Sequence, residues 1–353
     1  MKRELIIGPD IPVLVTGATG FIGSKVVEAL LDRRFREVRV LVRPSSDLRR
    51  LEGVLQNHEL ASNLRVLKGN LLSQEDCLSA TKDIAVIYHL AAGTGQKSFP
   101  DAFMGSVVTT RNLLEACLLN MKLKRFVNVS SLAVYSNRNG PNEGVLDESC
   151  PLEENPHLRG EAYCYAKSRQ DELVLQYGRE NEIPYVLVRP GVVYGPGKTS
   201  INGRVGIGTF GVFLHLGGRN AVPLTFVDNC AEAIVLSGLV SGIDGEIFNV
   251  IDDHLPTSAE FLRLYKTHVR HFQSISIPRP LSYLLCALWE KYAVWSKGQL
   301  PPAFNRRAWH AYWKGSNYTN RKLKTLLGWQ QKVATSDGLN QFFESCREQT
   351  CHA

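Results

Sequence analysis

The chain has 353 residues, of which 44% are hydrophobic and 21% charged. These values are typical of globular proteins and exclude a disordered chain or a fibre. The formal net charge of +7 favours anionic partners such as nucleotide phosphates or membrane surfaces, but it is too small and dispersed to indicate nucleic-acid binding. The 8 cysteines form no Cys-x-x-Cys pair, so we expect neither a metal site nor a disulfide framework. Because no signal peptide is evident, we expect a reducing, cytoplasmic compartment.

Short apolar runs alternate with helix-length segments along the first 190 residues. The strand candidates are 11–15, 38–42, 64–67, 84–88, 125–129 and 185–188. Runs that are apolar on both faces and separated by helices predict an α/β fold, a doubly wound parallel sheet with its ligand beyond the carboxyl ends of the strands. We expect this domain over 1–195 and a smaller, partly helical lobe over 196–353, with strands near 223–227 and 246–250 returning to the core.

The segment 280–295 is the most apolar part of the second half. No run of about twenty apolar residues occurs, so no bilayer-spanning helix is predicted. Two interpretations remain for 280–295: a helix lying on a membrane surface, or a helix buried in the protein's own second lobe. The second is the favoured one, because it is the ordinary fate of such a helix.

Glycines 17, 20 and 23 lie between the first predicted strand and the first predicted helix. In this context Gly17 allows a tight turn, Gly20 lets a pyrophosphate approach the backbone, and Gly23 lets the helix pack on the sheet. The free N–H groups at the helix start would then bind the phosphates. The motif predicts a dinucleotide site of the Rossmann type.

The second predicted strand ends in Arg43 rather than in Asp or Glu. An acid at this place would accept hydrogen bonds from a ribose 2′-hydroxyl, whereas an arginine suits a 2′-phosphate through charge-assisted pairing. We therefore expect NADP(H) to be favoured over NAD(H) as the cofactor.

Tyr163 and Lys167 are four residues apart, hence on one face of a helix. A lysine beside the phenol stabilises the phenolate and lowers its pKa, so that the tyrosine can exchange a proton with an alcohol while a hydride moves at the adjoining carbon. Ser131 follows the apolar run 126–129 and can hold the substrate oxygen there. We expect these three residues to be catalytic.

Together these motifs resemble the extended short-chain dehydrogenase/reductase superfamily, which includes the NAD-dependent epimerases and dehydratases. The likeness covers most of the chain and rests on 16–23, 69–71, 89–92, 112–116, 129–135, Tyr163 with Lys167, 189–196 and 226–229. By this resemblance Ser131, Tyr163 and Lys167 form the catalytic triad, and Tyr163 and Lys167 also contact the cofactor. The other implied cofactor-binding residues are Gly17, Thr19, Gly20, Phe21, Ile22, Gly23, Arg43, Asn70, Leu71, Leu90, Ala91, Ala92, Pro190, Gly191 and Val192.

Within that set, Asn70 and Leu71 would border the adenine, Ala91 and Ala92 the phosphates, and 190–192 the nicotinamide amide. The family usually has Asp where Asn70 stands. The asparagine lacks the negative charge of Asp at the adenine contact but keeps an acceptor oxygen. For Asn112 two roles stay open: support of a proton path, as the resemblance implies, or a buried structural asparagine.

The resemblance leaves the substrate open. Segments 41–47 and 277–283 look like the 3β-hydroxysteroid-dehydrogenase and dihydroflavonol-reductase-like members, so the first expectation is an NADP(H)-dependent oxidoreductase for a small apolar secondary alcohol or ketone, sterol-like or flavonoid-like. The alternative is a nucleotide-sugar epimerase, dehydratase or 4-ketoreductase, with Arg204, Arg219 and Arg279 as phosphate ligands. A regulator that binds NADP without chemistry is a third hypothesis, disfavoured because Tyr163 and Lys167 are both present. Helices near 102–119 and 161–177 resemble those of family homodimers.

Overall fold

The computed structural model describes residues 3–93, 98–137, 144–209, 211–296 and 304–351. The strands are β1 Val13–Thr16, β2 Val38–Val42, β3 Leu64–Lys68, β4 Val86–His89, β5 Arg125–Val129, β6 Val145–Leu146, β7 Tyr185–Pro190, β8 Val192–Tyr194, β9 Gly206–Thr209, β10 Val212–His215, β11 Leu224–Phe226, β12 Ile247–Val250, β13 Ser274–Ser276 and β14 Asn317–Tyr318. The helices are α1 Phe21–Asp32, α2 Arg49–Asn57, α3 Gln74–Thr81, α4 Phe99–Phe103, α5 Thr109–Leu118, α6 Ala162–Glu180, α7 Val227–Leu239, α8 Ser258–His268, α9 Arg279–Trp295, α10 Arg306–Tyr312, α11 Arg321–Leu327 and α12 Thr335–Cys351. A π-helical turn, Met104–Val108, joins α4 to α5.

Seven strands form the central sheet in the order β12-β7-β5-β4-β1-β2-β3. Every neighbouring pair in it is parallel. The chain runs outward from β1 to β3 and then returns to β4 on the other side of β1, which leaves a crevice at the carboxyl ends of β1 and β4. The doubly wound α/β fold predicted from the apolar runs is confirmed.

The two faces of the sheet are covered by helices, because the strands carry apolar side chains on both sides. On one face, Val26 and Leu30 of α1 and Ile234 of α7 pack in a single core cluster. On the other face, Leu113 of α5 and Val174 of α6 belong to a second cluster. This double covering is what a parallel sheet requires, and it fixes the starts of α1 and α6 against the strand ends.

The later part of the chain returns to the sheet and also builds small sheets of its own. β12 pairs with β7 in the central sheet. β11 pairs instead with β8 in a separate two-stranded sheet, and β9, β10 and β13 form another. The boundary at residue 195 stays a prediction.

The helix α9 is only half buried. Ser282, Cys286 and Ala293 face the protein, whereas Leu284 and Leu288 on the other side are about half exposed. The expectation that this apolar segment is buried in the second lobe is therefore wrong for one of its faces. None of the helices in the described part of the chain is long and apolar enough to cross a membrane.

Candidate active site

The glycine turn between β1 and α1 has no room for side chains. Gly17 has φ +72°, and a Cβ on it would lie 2.7 Å from the backbone nitrogen of Ala91. A Cβ on Gly23 would lie 2.1 Å from the Gly17 carbonyl oxygen, so glycine is required there for α1 to approach the turn. Gly20 is the N-cap of α1 and makes no side-chain cap, which leaves the first N–H groups of the helix facing the crevice. These features fit the phosphates of a dinucleotide.

Ser131 and Tyr163 meet at the carboxyl end of β5. Ser131 lies two residues beyond the strand in extended conformation, and its Oγ accepts a hydrogen bond from the backbone N–H of Ala133 at 3.1 Å. Tyr163 is in the first turn of α6, and its side chain lies close enough to that of Ser131 to affect the pKa of the phenol. Two hydroxyls are thus held together at the place where a substrate oxygen would lie.

Burial raises the pKa of Tyr163 above its ordinary value, and the nearby Ser131 side chain opposes this rise only in part. The expectation that Lys167 lowers the pKa of Tyr163 is therefore wrong for the chain without its ligands. The reason is visible at Lys167, whose ammonium donates to the Val129 carbonyl at 2.6 Å and to Gln170 Oε1 at 2.8 Å. Burial lowers the pKa of Lys167 to about 8, although the carboxylate of Asp171 opposes this shift.

Gln170 connects Lys167 to a buried row of hydrogen bonds that reaches β1. Its Nε2 donates to Thr110 Oγ1 at 2.7 Å, and Thr110 Oγ1 also lies 2.8 Å from His89 Nε2. His89 Nδ1 lies 2.7 Å from Thr16 Oγ1, at the end of β1. Burial lowers the pKa of His89 to about 3, so the ring is neutral. The row ties the lysine to the strand that carries the glycine turn.

Asp171 fixes α6 against the sheet. Its carboxylate accepts from Arg189 of β7 at 3.1 Å, and both side chains are buried. Arg189 also donates to the Tyr135 hydroxyl at 2.9 Å, and that hydroxyl donates to Asn249 Oδ1 at 2.9 Å. Because breaking a buried ion pair leaves an uncompensated charge, this pairing holds the register of α6, and hence of Tyr163 and Lys167.

The residues expected near the nicotinamide follow β7 directly. A Cβ on Gly191 would lie 2.1 Å from the Pro223 carbonyl oxygen, and the N–H of Val192 donates to the same oxygen at 2.7 Å. Pro190, the last residue of β7, pairs with Val250 of β12. The other expected cofactor residues lie in the glycine turn and after β4: Thr19, Phe21, Ile22, Leu90 and Ala92. Their contacts with a cofactor stay predictions.

On the adenine side, the structure places Asn70 and Leu71 in the loop after β3. The side-chain amide oxygen of Asn70 (Oδ1) already accepts a hydrogen bond from the N–H of Leu72 at 3.1 Å, which leaves that oxygen one lone pair for another donor. Leu71 is buried in the core, and its carbonyl accepts from Asn112 Nδ2 at 2.9 Å. Asn112 thus holds this loop on α5. Of the two roles left open for Asn112, this contact fits the buried structural asparagine.

Arg43 is exposed at the carboxyl end of β2, and within the described residues its guanidinium makes no hydrogen bond or ion pair. Two further cations, which the sequence did not single out, lie at the start of α1. The guanidinium of Arg50 and the ammonium of Lys198 lie 5.7 and 5.3 Å from the centre of the Phe21 ring, at the start of α1. A pocket of about 340 Å³ is lined by Phe21 and Arg50, among others. The arginines at 43, 49 and 50 lie close together in the sequence and could have pointed to Arg50 as a cation near the glycine turn. No sequence pattern around Lys198 indicates its position in the fold.

The three arginines considered as phosphate ligands have different surroundings. Arg204 donates to the Ala311 carbonyl at 2.9 Å and lies over the Tyr312 ring. Arg219 and Arg279 are both exposed. A Cβ built on Gly315 would lie 3.1 Å from Arg279 Nη2 and 2.4 Å from the side-chain oxygen of Asn220. Arg279 and Asn220, which follows Arg219 in the chain, therefore both lie close to Gly315.

Tyr312 links this region to the catalytic helix. Its hydroxyl donates to Glu161 at 2.6 Å, and Glu161 is the N-cap of α6, two residues before Tyr163. In the same region Trp309 and Trp313 are buried core residues, whereas Trp295 is exposed. Among the described residues there is no cluster of three side chains able to hold a metal ion.

Residues 13–250 match the model of the NAD dependent epimerase/dehydratase family. The chain belongs to this family. The family resemblance deduced from the motifs is thereby confirmed, and with it a kinship to NAD-dependent enzymes. The comparisons favour the nucleotide-sugar alternative over the apolar substrate that was expected first.

Three relatives illustrate the range. A trifunctional UDP-glucose 4,6-dehydratase, UDP-4-keto-6-deoxy-D-glucose 3,5-epimerase and UDP-4-keto-L-rhamnose reductase of Arabidopsis thaliana is 31% identical over 67% of this chain and 36% of its own length. Cinnamoyl-CoA reductase 2 of Medicago truncatula is 32% identical over 54% of this chain and 56% of its own. The crystal structure of UDP-glucuronic acid 4-epimerase from Bacillus cereus, with UDP-glucuronic acid and NAD, has a TM-score of 0.71 at 22% identity over 96% of this chain and 100% of its own. The chain spans about a third of the length of the Arabidopsis relative, and the crystal structure supports the shared fold.

Proposed function

We propose that this protein is a NAD(P)-dependent enzyme that exchanges a hydride at a secondary alcohol or ketone carbon of a nucleotide-diphosphate sugar. The observation that carries the proposal is the close approach of the Ser131 and Tyr163 side chains, with the buried Lys167 one helical turn further along α6. The glycine turn and the open start of α1 fit a dinucleotide, since neither Gly17 nor Gly23 leaves space for a side chain. A nicotinamide cofactor held there would supply or accept the hydride.

The chain's own residues then handle the substrate oxygen and its proton. The hydroxyls of Ser131 and Tyr163 hold and polarise the carbonyl oxygen. Tyr163 gives its proton to that oxygen as the alcohol forms and takes it back in the reverse direction. The Lys167 ammonium places a positive charge one turn along α6 from Tyr163, and Gln170 and the Val129 carbonyl fix its position.

Two observations support the sugar-nucleotide substrate. The trifunctional Arabidopsis relative acts on UDP-sugars, as its name states. In this chain Arg219 is exposed next to Asn220, and Arg279 approaches the same glycine as Asn220. Guanidinium groups bind phosphate oxygens in a bidentate manner, so this part of the lobe suits a diphosphate.

A second candidate function is an NADPH-dependent reductase for an apolar ketone or thioester. Arg43 favours it, since an exposed guanidinium at the end of β2 suits a 2′-phosphate, and so does the similarity to cinnamoyl-CoA reductase 2. A nucleotide-sugar 4-ketoreductase would satisfy both sets of observations, because it uses a free reduced cofactor on a sugar nucleotide.

The deciding experiment is to identify the cofactor carried by freshly purified protein and then to titrate the protein with NADPH and NADH. The same preparation is incubated with UDP-glucose, UDP-glucuronic acid and dTDP-glucose, and the products are followed by NMR. Tightly retained NAD with turnover of a sugar nucleotide supports an epimerase or dehydratase. Empty protein that prefers NADPH and reduces a keto-sugar nucleotide supports the ketoreductase. Reduction of a cinnamoyl-type substrate without any sugar-nucleotide turnover would overturn the main proposal.

A further inference from the structure

The outward face of α9 is apolar along its whole length. Six side chains on it have between 44% and 76% of their surface exposed. At about 100° per residue they fall within an arc of about 100° on the helix. We call them the apolar stripe of α9: Leu281, Leu284, Leu285, Leu288, Tyr292 and Trp295. Soluble proteins rarely leave such a continuous apolar surface uncovered.

The opposite face of α9 is already anchored to the protein. Trp309 of α10 donates through its Nε1 to Ser282 Oγ at 2.9 Å, and the Tyr283 ring meets the Trp309 ring edge-on at 5.0 Å. Cys286 and Ala293 are buried on this side. The helix therefore needs nothing from the apolar stripe to stay in place, and the stripe is available to another surface.

The charges around the stripe indicate what that surface is. Lys291 is exposed, and by the helical angle it lies about 20° outside the edge of the stripe. The one acid of α9, Glu290, is paired with Arg306 at 2.8 Å. In a symmetric dimer the stripe of one copy would pack on the stripe of the other. Since the stripe has no acidic residue, Lys291 at its edge would be buried there without a carboxylate partner. A surface that supplies anionic groups suits this face better.

The end of the stripe has the residues typical of a lipid boundary. Tyr292 and Trp295 stack at 5.6 Å and 20°, and both are exposed. Such rings lie at the level of lipid headgroups, and a nearby lysine extends its ammonium to the phosphates. A helix of 17 residues is about 25 Å long, which suits one that lies in the surface plane rather than across a bilayer.

We propose that α9 docks this protein onto an anionic membrane surface, with the apolar stripe at the boundary between headgroups and acyl chains and Lys291 facing the lipid phosphates. This proposal is independent of the function proposed above, since neither the apolar stripe nor Lys291 includes a residue placed in the catalytic, cofactor or diphosphate sites.

The test is co-sedimentation of the full chain with phosphatidylcholine vesicles, with and without phosphatidylglycerol, at low and high salt. We expect binding to the anionic vesicles that weakens with salt. The double variant Leu284→Gln/Leu288→Gln should bind at least about tenfold more weakly, because two apolar side chains leave the lipid boundary. Lys291→Gln should reduce the preference for anionic vesicles about fivefold. The matched control is Leu78→Gln on α3, an exposed leucine of another helix, which should bind like the wild type.

Trp295→Phe provides a conservative second probe, since it keeps an aromatic ring. The wild type should show a blue-shifted tryptophan emission when anionic vesicles are added, and this variant should lose most of that shift. Absence of binding to both kinds of vesicle would overturn the proposal. So would equal loss of binding in Leu78→Gln, or a wild-type dimer in light scattering that the double variant dissociates, since the stripe would then be covered by a second copy.

Discussion

The two ends of the cofactor crevice are built differently. At the end where Tyr163 lies, Lys167 is held by buried hydrogen bonds to two fixed acceptors, and Tyr163 is buried near Ser131. At the end where the second strand stops, Arg43 is exposed and no partner for it is found in the described residues. Arg50 is likewise exposed, with one long hydrogen bond to the Gly197 carbonyl at 3.4 Å.

This difference teaches which properties of the protein the fold determines. A buried group that loses its partner costs free energy, so the catalytic end can change little without loss of stability. Exposed arginines can be replaced at little cost to folding. The proposed reaction is therefore tied to the sheet and α6, whereas the proposed choice between NAD and NADP would depend on a few surface side chains.

The largest effect is expected from Tyr163→Phe. Because the phenol is the proposed proton donor, its loss should lower kcat by about 10³-fold. Cofactor binding, followed by fluorescence titration, should persist, since the ring is kept. Tyr165→Phe, two residues along the same helix, is the control and should keep near-normal turnover. Unchanged turnover in Tyr163→Phe would remove this residue from the mechanism and revive a purely regulatory role.

Arg43→Ala tests the other end of the crevice. If its guanidinium pairs with a 2′-phosphate, the ratio of kcat/KM for NADPH over NADH should fall by about 10- to 100-fold, the value of a charge-assisted hydrogen bond or two. Arg65→Ala, at the amino-terminal part of β3 and exposed like Arg43, is the matched control. An unaltered ratio would mean that Arg43 is a solvated surface residue.

Gln170→Leu tests whether the buried row of hydrogen bonds positions Lys167. The ammonium would lose one of its two acceptors, so we expect kcat to fall about tenfold and the pKa of Lys167 to fall further. A merely structural role would lower the yield of folded protein without moving the pH profile. Gln170→Glu, which restores an acceptor with added negative charge, should move that profile to higher pH. Glu172→Gln on the exposed side of α6 serves as the control.

The last prediction needs no substitution and concerns the pH dependence of the wild type. Burial lowers the pKa of Lys167 to about 8, so the ammonium is charged below this pH and neutral above it. The rate of carbonyl reduction should be constant below pH about 8, half-maximal near it, and fall tenfold per pH unit beyond. Measurement of kcat/KM between pH 6 and 10 checks this; a profile flat to pH 10 would show that the charge of Lys167 is not needed.

Much of the fold could be predicted because its signals are local. The apolar runs at 38–42 and 125–129 coincide with β2 and β5, and the glycine spacing gave the turn before α1. Tyr163 and Lys167 were found because one helical turn separates them. The expectation that 223–227 returns to the core did not say which strand it would join; β11 pairs with β8, and the pairing of a three-residue strand depends on partners far along the chain.

The rest of the site depends on distant contacts. Lys198 meets Arg50 at the Phe21 ring across about 150 residues of chain, and no local pattern announces this. Gln170 was overlooked for the same reason, because its partner Thr110 lies on another helix. For α9, composition predicted an apolar helix correctly, but which of its faces stays exposed is decided by the packing of α10.

The hydrogen-bond row behind Lys167 has a direction. Thr110 Oγ1 donates its single proton to the Ser106 carbonyl at 2.5 Å, in the π-helical turn, so it must accept from both Gln170 and His89. The neutral His89 then carries its proton on Nε2 and accepts from Thr16 on Nδ1. Gln170 and His89 thus both donate to the Thr110 hydroxyl oxygen. A proton could pass along the row only if the hydroxyls of Thr110 and Thr16 both reversed the direction in which they donate. Within the described residues this row therefore gives Lys167 no proton relay from behind, and the proton that Tyr163 is proposed to deliver is replaced from the side of the crevice rather than through the row.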